Sequence, residues 1–104
     1  MKLTKKDRAV FKRAADLLSK RGAWTKGKSA RNKAGEGVWA ASAQAVSWCL
    51  MGAIEKVGGG ERQSNLAVKA SPERMGAWWN DRQRSKGPVV RLLRKLSKAR
   101  EVPS

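Results

Sequence analysis

The sequence predicts an all-α fold in the main: a small compact domain of three to five helices around a buried central helix, with room for a short β-hairpin. Three observations carry this. Apolar residues recur at helical spacing near both ends, at Val10, Phe11, Ala14, Leu17 and Leu18 and again at Val89, Leu92, Leu93 and Leu96. Between them, residues 42–57 are apolar on nearly every side, as in a helix with no wet face. A length of 104 residues accommodates one core and little more, so 1–104 reads as a single domain.

Taken in order, Thr4 followed by Asp7 forms a capping-box-like start, with Asp in place of the usual Glu, for a basic amphipathic helix over 5–20. Lys20 and Arg21 suit its C-terminal dipole, and Gly22 suits a left-handed position just beyond. Residues 22–40, punctuated by Gly22, Gly27, Gly35 and Gly37, are expected to be a basic Gly-rich loop or a hairpin. The buried helix over 42–57 follows and stops at Gly58-Gly59-Gly60. Its interior Gly52 costs about 1 kcal/mol in propensity, which implies that something packs closely against it. Residues 61–70 are ambiguous, with a short helix around Asn65–Ala70 as one reading.

Ser71-Pro72-Glu73 is a helix start, giving a helix over 72–82 with Met75, Trp78 and Trp79 on one face. A basic loop, Arg82–Gly87, precedes a last basic amphipathic helix over 88–100. The expected core is Val10, Phe11, Leu17, Leu18, Val46, Trp48, Cys49, Leu50, Ile54, Met75, Trp78, Leu92, Leu93 and Leu96.

The charge is distributed unevenly. Residues 1–33 carry twelve Lys/Arg and two Asp, residues 34–81 carry four basic and five acidic side chains, and residues 82–104 carry eight basic residues and one Glu. Two cationic ends thus flank a near-neutral middle in a chain of net charge +16, and a polyanion is the expected partner, DNA or RNA first. Between residues 84 and 100 there are seven basic and no acidic side chains. A merely solvated helix face usually mixes both signs through i,i+4 pairs. One candidate phosphate-contacting surface is therefore Arg84, Lys86, Arg91, Arg94, Lys95 and Lys98. The other is the glycine-spaced loop bearing Lys26, Lys28, Arg31 and Lys33, which can follow phosphates closely.

The five tryptophans argue against disorder. Spacing assigns Trp48 and Trp78 to the core, whereas Trp24, Trp39 and Trp79 lie near element ends, where base stacking competes with burial.

Catalysis is not expected. The absence of histidine removes Cys–His chemistry and every His-containing zinc site, and no cofactor motif is present: Gly58-Gly59-Gly60 lacks the Gly-Lys-Ser/Thr ending of a phosphate loop. Asn80-Asp81 lacks a second acid and reads as a backbone cap, with Arg82 or Arg84 as partners for Asp81; Cys49 reads as a small core residue. No signal-peptide pattern is expected, and the longest apolar-rich run, Ala45 to Ile54, is too short to span a bilayer. The expectation is a cytoplasmic protein that does not act at a membrane.

Trp24-Thr25-Lys26-Gly27, then Ala45-Val46-Ser47-Trp48-Cys49-Leu50-Met51-Gly52-Ala53, then Trp79-Asn80-Asp81 occur in order, followed by a Val-x-x-Leu-Leu helix. Over residues 8–99 this succession resembles a family of small uncharacterised bacterial and phage proteins with a W-T-x-G … A-x-x-W-C-x-x-G-A … W-N-D pattern. The resemblance implies one compact domain and a phage or prophage origin, with the motif positions serving as the signature of the fold. This chain departs from that family in being far more basic, so its cationic ends look like a specialisation. The functional expectation is a non-enzymatic phage-type accessory protein that binds nucleic acid through phosphate contacts. Docking on an acidic host protein and sequestration of a small anionic nucleotide are the alternatives.

Overall fold

In the computed structural model, which describes residues 1–103, α1 spans Lys5–Ser19. Thr4 Oγ1 accepts from the Asp7 amide at 3.1 Å and Asp7 Oδ2 accepts from the Thr4 amide at 2.8 Å, so the capping box forms with Asp in the Glu position. Val10, Phe11, Ala14, Ala15 and Leu18 are buried on the face that packs against the rest of the protein. Gly22, at φ +73°, turns the chain away after the helix.

The Gly-rich stretch forms a hairpin, and a third strand joins it. The strands β1 (Ala30–Arg31), β2 (Gly37–Val38) and β3 (Ser47–Trp48) make an antiparallel sheet in the order β2-β1-β3. Ala30 is opposite Val38 on one side and Trp48 on the other. Gly35, at φ +85°, makes the β1–β2 turn.

The fold is mainly helical, as expected, but the sheet has a third strand beyond the expected hairpin, and that strand corrects the helix expected over 42–57. Residues 39–45 make two turns, closed by Ser42 N–H to Trp39 O and Ala45 N–H to Ser42 O, and α2 spans only Leu50–Lys56. It still lies centrally, packed on α1, α3, α4 and β3. The close approach implied by Gly52 is present: a Cβ at this position would stand 1.9 Å from the Ser29 carbonyl oxygen.

The ambiguous segment is a full helix, α3 (Glu61–Ala70). The helix expected over 72–82 divides into a 3-10 turn at Pro72–Arg74 and a short α4 (Ala77–Asp81). The break lies where Glu73, Arg74 and Gly76 all take positive φ. Ser71 Oγ accepts from the Gly76 amide at 2.8 Å across the break. The final helix, α5 (Gly87–Leu96), ends four residues earlier than its stripe suggests.

α5 packs antiparallel along α1. Leu3 N–H bonds to Arg100 O at one end of the pair, and Lys86 reaches the Ser19 carbonyl at the other. Phe11, Leu18, Leu50, Ile54, Leu66 and Leu93 are the largest fully buried apolar side chains. Three expected core residues lie outside: Val46 is half exposed in the turn before β3, Trp78 is 71% exposed, and Met75 is half-buried at the kink before α4 without joining the core. Leu17 and Leu92 are half-buried and pack against the core, and Met51, Val90 and Trp79 join them there.

Candidate nucleic-acid interface

On α5, Val89, Leu93 and Leu96 turn inward and leave Arg91 and Lys95 on the solvent side, with Lys98 exposed just beyond the helix. Among the described residues none of these three cations is ion-paired. Arg94 instead faces α1. Its guanidinium donates to Asp16 Oδ1 at 2.6 Å and to Ser19 Oγ at 3.3 Å. Lys12 stands 3.7 Å from the other Asp16 oxygen. The hydrogen bond from Arg94, helped by Lys12, holds the exposed Asp16 carboxyl below its ordinary range. The Asp16 carboxylate is thus already matched by two cations.

Other expected contact residues also spend donors within the fold. Lys86 Nζ donates to the Ser19 and Lys20 carbonyls at 2.7 and 3.1 Å, serving as a C-terminal cap for α1. Arg31 donates to Thr25 Oγ1, Gly35 O and Lys26 O and so braces the hairpin from within. Lys26 Nζ donates to Gln83 O at 2.9 Å, and Gly27 N–H to Asp81 Oδ1 at 2.9 Å. These two bonds draw the loop carrying exposed Arg84 against the loop carrying exposed Lys28. Lys33 is exposed in the β1–β2 turn. The ten cations named from the sequence therefore divide: Lys26, Arg31, Lys86 and Arg94 have structural bonds, whereas Lys28, Lys33, Arg84, Arg91, Lys95 and Lys98 stand in solvent.

Three basic residues that sequence reasoning missed lie beside Lys98. Lys2, Arg8 and Arg100, with Leu3 and Glu101, line a cleft of about 660 Å³ where the two ends of the chain meet. Pairing of residues 1–3 with 100–102, through Leu3 N–H to Arg100 O and Val102 N–H to Met1 O, brings them together, and no local pattern announces a contact across the whole chain.

The tryptophan motifs converge on a different point. Asn80 is fully buried, and its Oδ1 accepts from Trp24 Nε1 at 2.9 Å and from the Leu50 amide at 3.1 Å. Its Nδ2 donates to Thr25 O and to Asp81 Oδ1, each at 3.2 Å. Trp48 Nε1 donates to Ala40 O, and Cys49 Sγ caps α2 by accepting from the Gly52 amide at 3.4 Å. Burial pushes the Cys49 thiol up, which disfavours a thiolate nucleophile. These residues hold the α2, α4 and Trp24–Gly27 segments together. Among the described residues no group of three His, Cys, Asp or Glu is placed to hold a metal ion, and no helix is long and apolar enough to cross a membrane.

Comparison with curated proteins and with solved structures returns no match. A family model does match, over residues 3–99, and spans all three tryptophan motifs and both basic helices. The chain belongs to this family, DUF6197, a family of unknown function.

Proposed function

We propose that this chain is a non-enzymatic accessory protein that binds nucleic acid through its phosphates. The solvent side of α5 is the main contact surface, and the loops bearing Lys28, Lys33 and Arg84 are the second. The carrying observation is uncompensated charge: Arg91, Lys95 and Lys98 are exposed within eight residues, and among the described residues none has an ion-pair partner. A face that served solubility alone would be expected to interleave acids. The basic cleft beside Lys98 extends the same surface onto the N-terminal end of α1. The resemblance to small bacterial and phage proteins supports an accessory role in a host cytoplasm.

The test is a salt titration of nuclease-treated protein against labelled duplex DNA, single-stranded DNA and RNA of matched length. Neutralising about six phosphates predicts a log–log salt slope of about −5 on a duplex. Negligible binding of all three near physiological salt would overturn the reading.

A further inference from the structure

We propose that Trp39 and Lys28 form a stacking site for single-stranded nucleic acid, in which a base lies on the exposed indole and a neighbouring phosphate meets the lysine ammonium. The proposal rests on the nucleic-acid reading above and specifies a strand form and a contact for it.

Trp39 is 85% exposed, an unusual position for a side chain whose burial would remove about 150–250 Å² of surface from water. The backbone around it is fixed. Val38, one residue before, pairs with Ala30 in the sheet, and the carbonyl of Ala40, one residue after, accepts from Trp48 Nε1. Trp39 O itself accepts from the Ser42 amide at 3.0 Å. Alternation along this segment turns Val38 and Ala40 inward and Gly37 and Trp39 outward. The indole is therefore held out by its hydrogen-bonded neighbours one residue past the edge strand β2, so little backbone order is lost when a flat ligand lands on it.

Gly37 explains how the cation arrives. A Cβ on Gly37 would stand 3.0 Å from Lys28 Cδ and 3.4 Å from its Cγ and Cε, so the lysine stem runs over the space that a side chain would fill. Gly37 in β2 and Trp39 just beyond it both line the exposed side with Lys28, and the stem thereby brings Lys28 to the indole's side of the sheet. Lys28, Ser29, Val38, Trp39 and Ser42 line a cleft of about 570 Å³ that is open to solvent. Lys28 makes no hydrogen bond or ion pair among the described residues. An aromatic platform beside an uncommitted cation is the combination that single-strand binders use, because every base has a π-face and every step a phosphate. An open cleft on a sheet edge suits a passing strand better than an enclosed small molecule. A base paired within a duplex cannot offer its face.

The experiment measures affinity for an oligothymidylate and for a duplex of matched length, with wild type, Trp39→Ala, Trp39→Phe and, as an exposed control on α4, Trp78→Ala. The expected result is a loss of about tenfold on the oligothymidylate for Trp39→Ala, with duplex affinity unchanged, most of the loss restored in Trp39→Phe, and no effect of Trp78→Ala. Quenching of tryptophan fluorescence by the oligothymidylate should shrink in Trp39→Ala. Undiminished single-strand affinity in Trp39→Ala, or an equal loss on both nucleic acids, overturns the stacking site and leaves phosphate binding standing. Wild type that binds neither nucleic acid overturns both.

Discussion

The indole nitrogen of Trp24 donates to Oδ1 of Asn80 at 2.9 Å, across 56 positions of sequence. The same oxygen accepts from the Leu50 amide at the start of α2, so one buried carboxamide ties three separate segments. Replacing Asn80 with Ala strands the buried Leu50 amide and the half-buried Trp24 Nε1 at once, and a buried donor left unsatisfied costs about 1–3 kcal/mol. Asn80→Ala should therefore lower stability by about 2–4 kcal/mol in urea unfolding. A change below about 1 kcal/mol would mean that water or a shifted backbone group takes over both bonds.

Gly52 and Gly60 make a matched pair of glycine substitutions. A methyl group at Gly52 would run into the Ser29 carbonyl, which itself accepts from the Cys49 amide and cannot move without breaking that bond. Gly52→Ala should cost about 3 kcal/mol or more despite the better helix propensity of Ala. A Cβ at Gly60, the N-cap of α3, would meet nothing nearer than Gln63 Oε1 at 3.9 Å, an ordinary contact, so Gly60→Ser should be neutral or slightly stabilising. Thermal melts of the two variants test the contrast, and similar melting temperatures would refute the close-approach argument.

The helices with caps and clean stripes were legible, because their signals are local. α1 starts at its capping box, and α5 starts one residue before Pro88. The 42–57 segment misled because a short buried strand and a buried helix are both continuously apolar. Trp48 is in the core as spacing suggested, but as a strand residue bonded to Ala23 and Thr25 through its backbone. Trp78 misled for another reason. Its expected inward face assumed a helix running from Pro72, whereas the positive φ values of Glu73, Arg74 and Gly76 reset the rotation before Ala77. By sequence Asn80-Asp81 is a local cap; in the fold both residues cap backbone amides, but those of Leu50 and Gly27. Which cations remain in solvent was not legible, because carbonyls of Ser19, Gln83 and Gly35 claim Lys86, Lys26 and Arg31 only once the tertiary fold exists.

Asp7 predicts an acid limit on stability. It is fully buried, accepts from Arg62 Nη2 at 2.8 Å and from Gln63 Nε2 at 2.9 Å, and closes the capping box of α1. The Arg62 guanidinium holds its carboxyl well below the ordinary carboxylate range, against the opposing effect of burial. A depressed folded-state pKa contributes stability above the unfolded value, near 4, and loses it as pH falls toward the folded value. Asp7→Asn should cost about 1–3 kcal/mol near neutral pH, and the gap from wild type should narrow steadily below about pH 4. Urea midpoints across that range check it, and a gap independent of pH would assign the cost to packing rather than charge.

The phosphate surface predicts a separation between affinity and folding. Arg91, Lys95 and Lys98 are exposed and unpaired among the described residues, so replacing all three with Ala should leave the melting temperature nearly unchanged. The same variant should bind duplex DNA more weakly at every sequence, with a salt slope shallower by about 2–3, close to 0.9 for each lost phosphate contact. Arg94→Ala provides the contrast. Its guanidinium is bonded to Asp16 and Ser19, so its removal leaves the Asp16 charge matched by Lys12 alone beside the same surface. That change should weaken binding through repulsion of the phosphates while altering the slope by no more than about 1. A triple variant whose slope matches wild type would move the contact surface away from α5 and toward the loops at Lys28, Lys33 and Arg84.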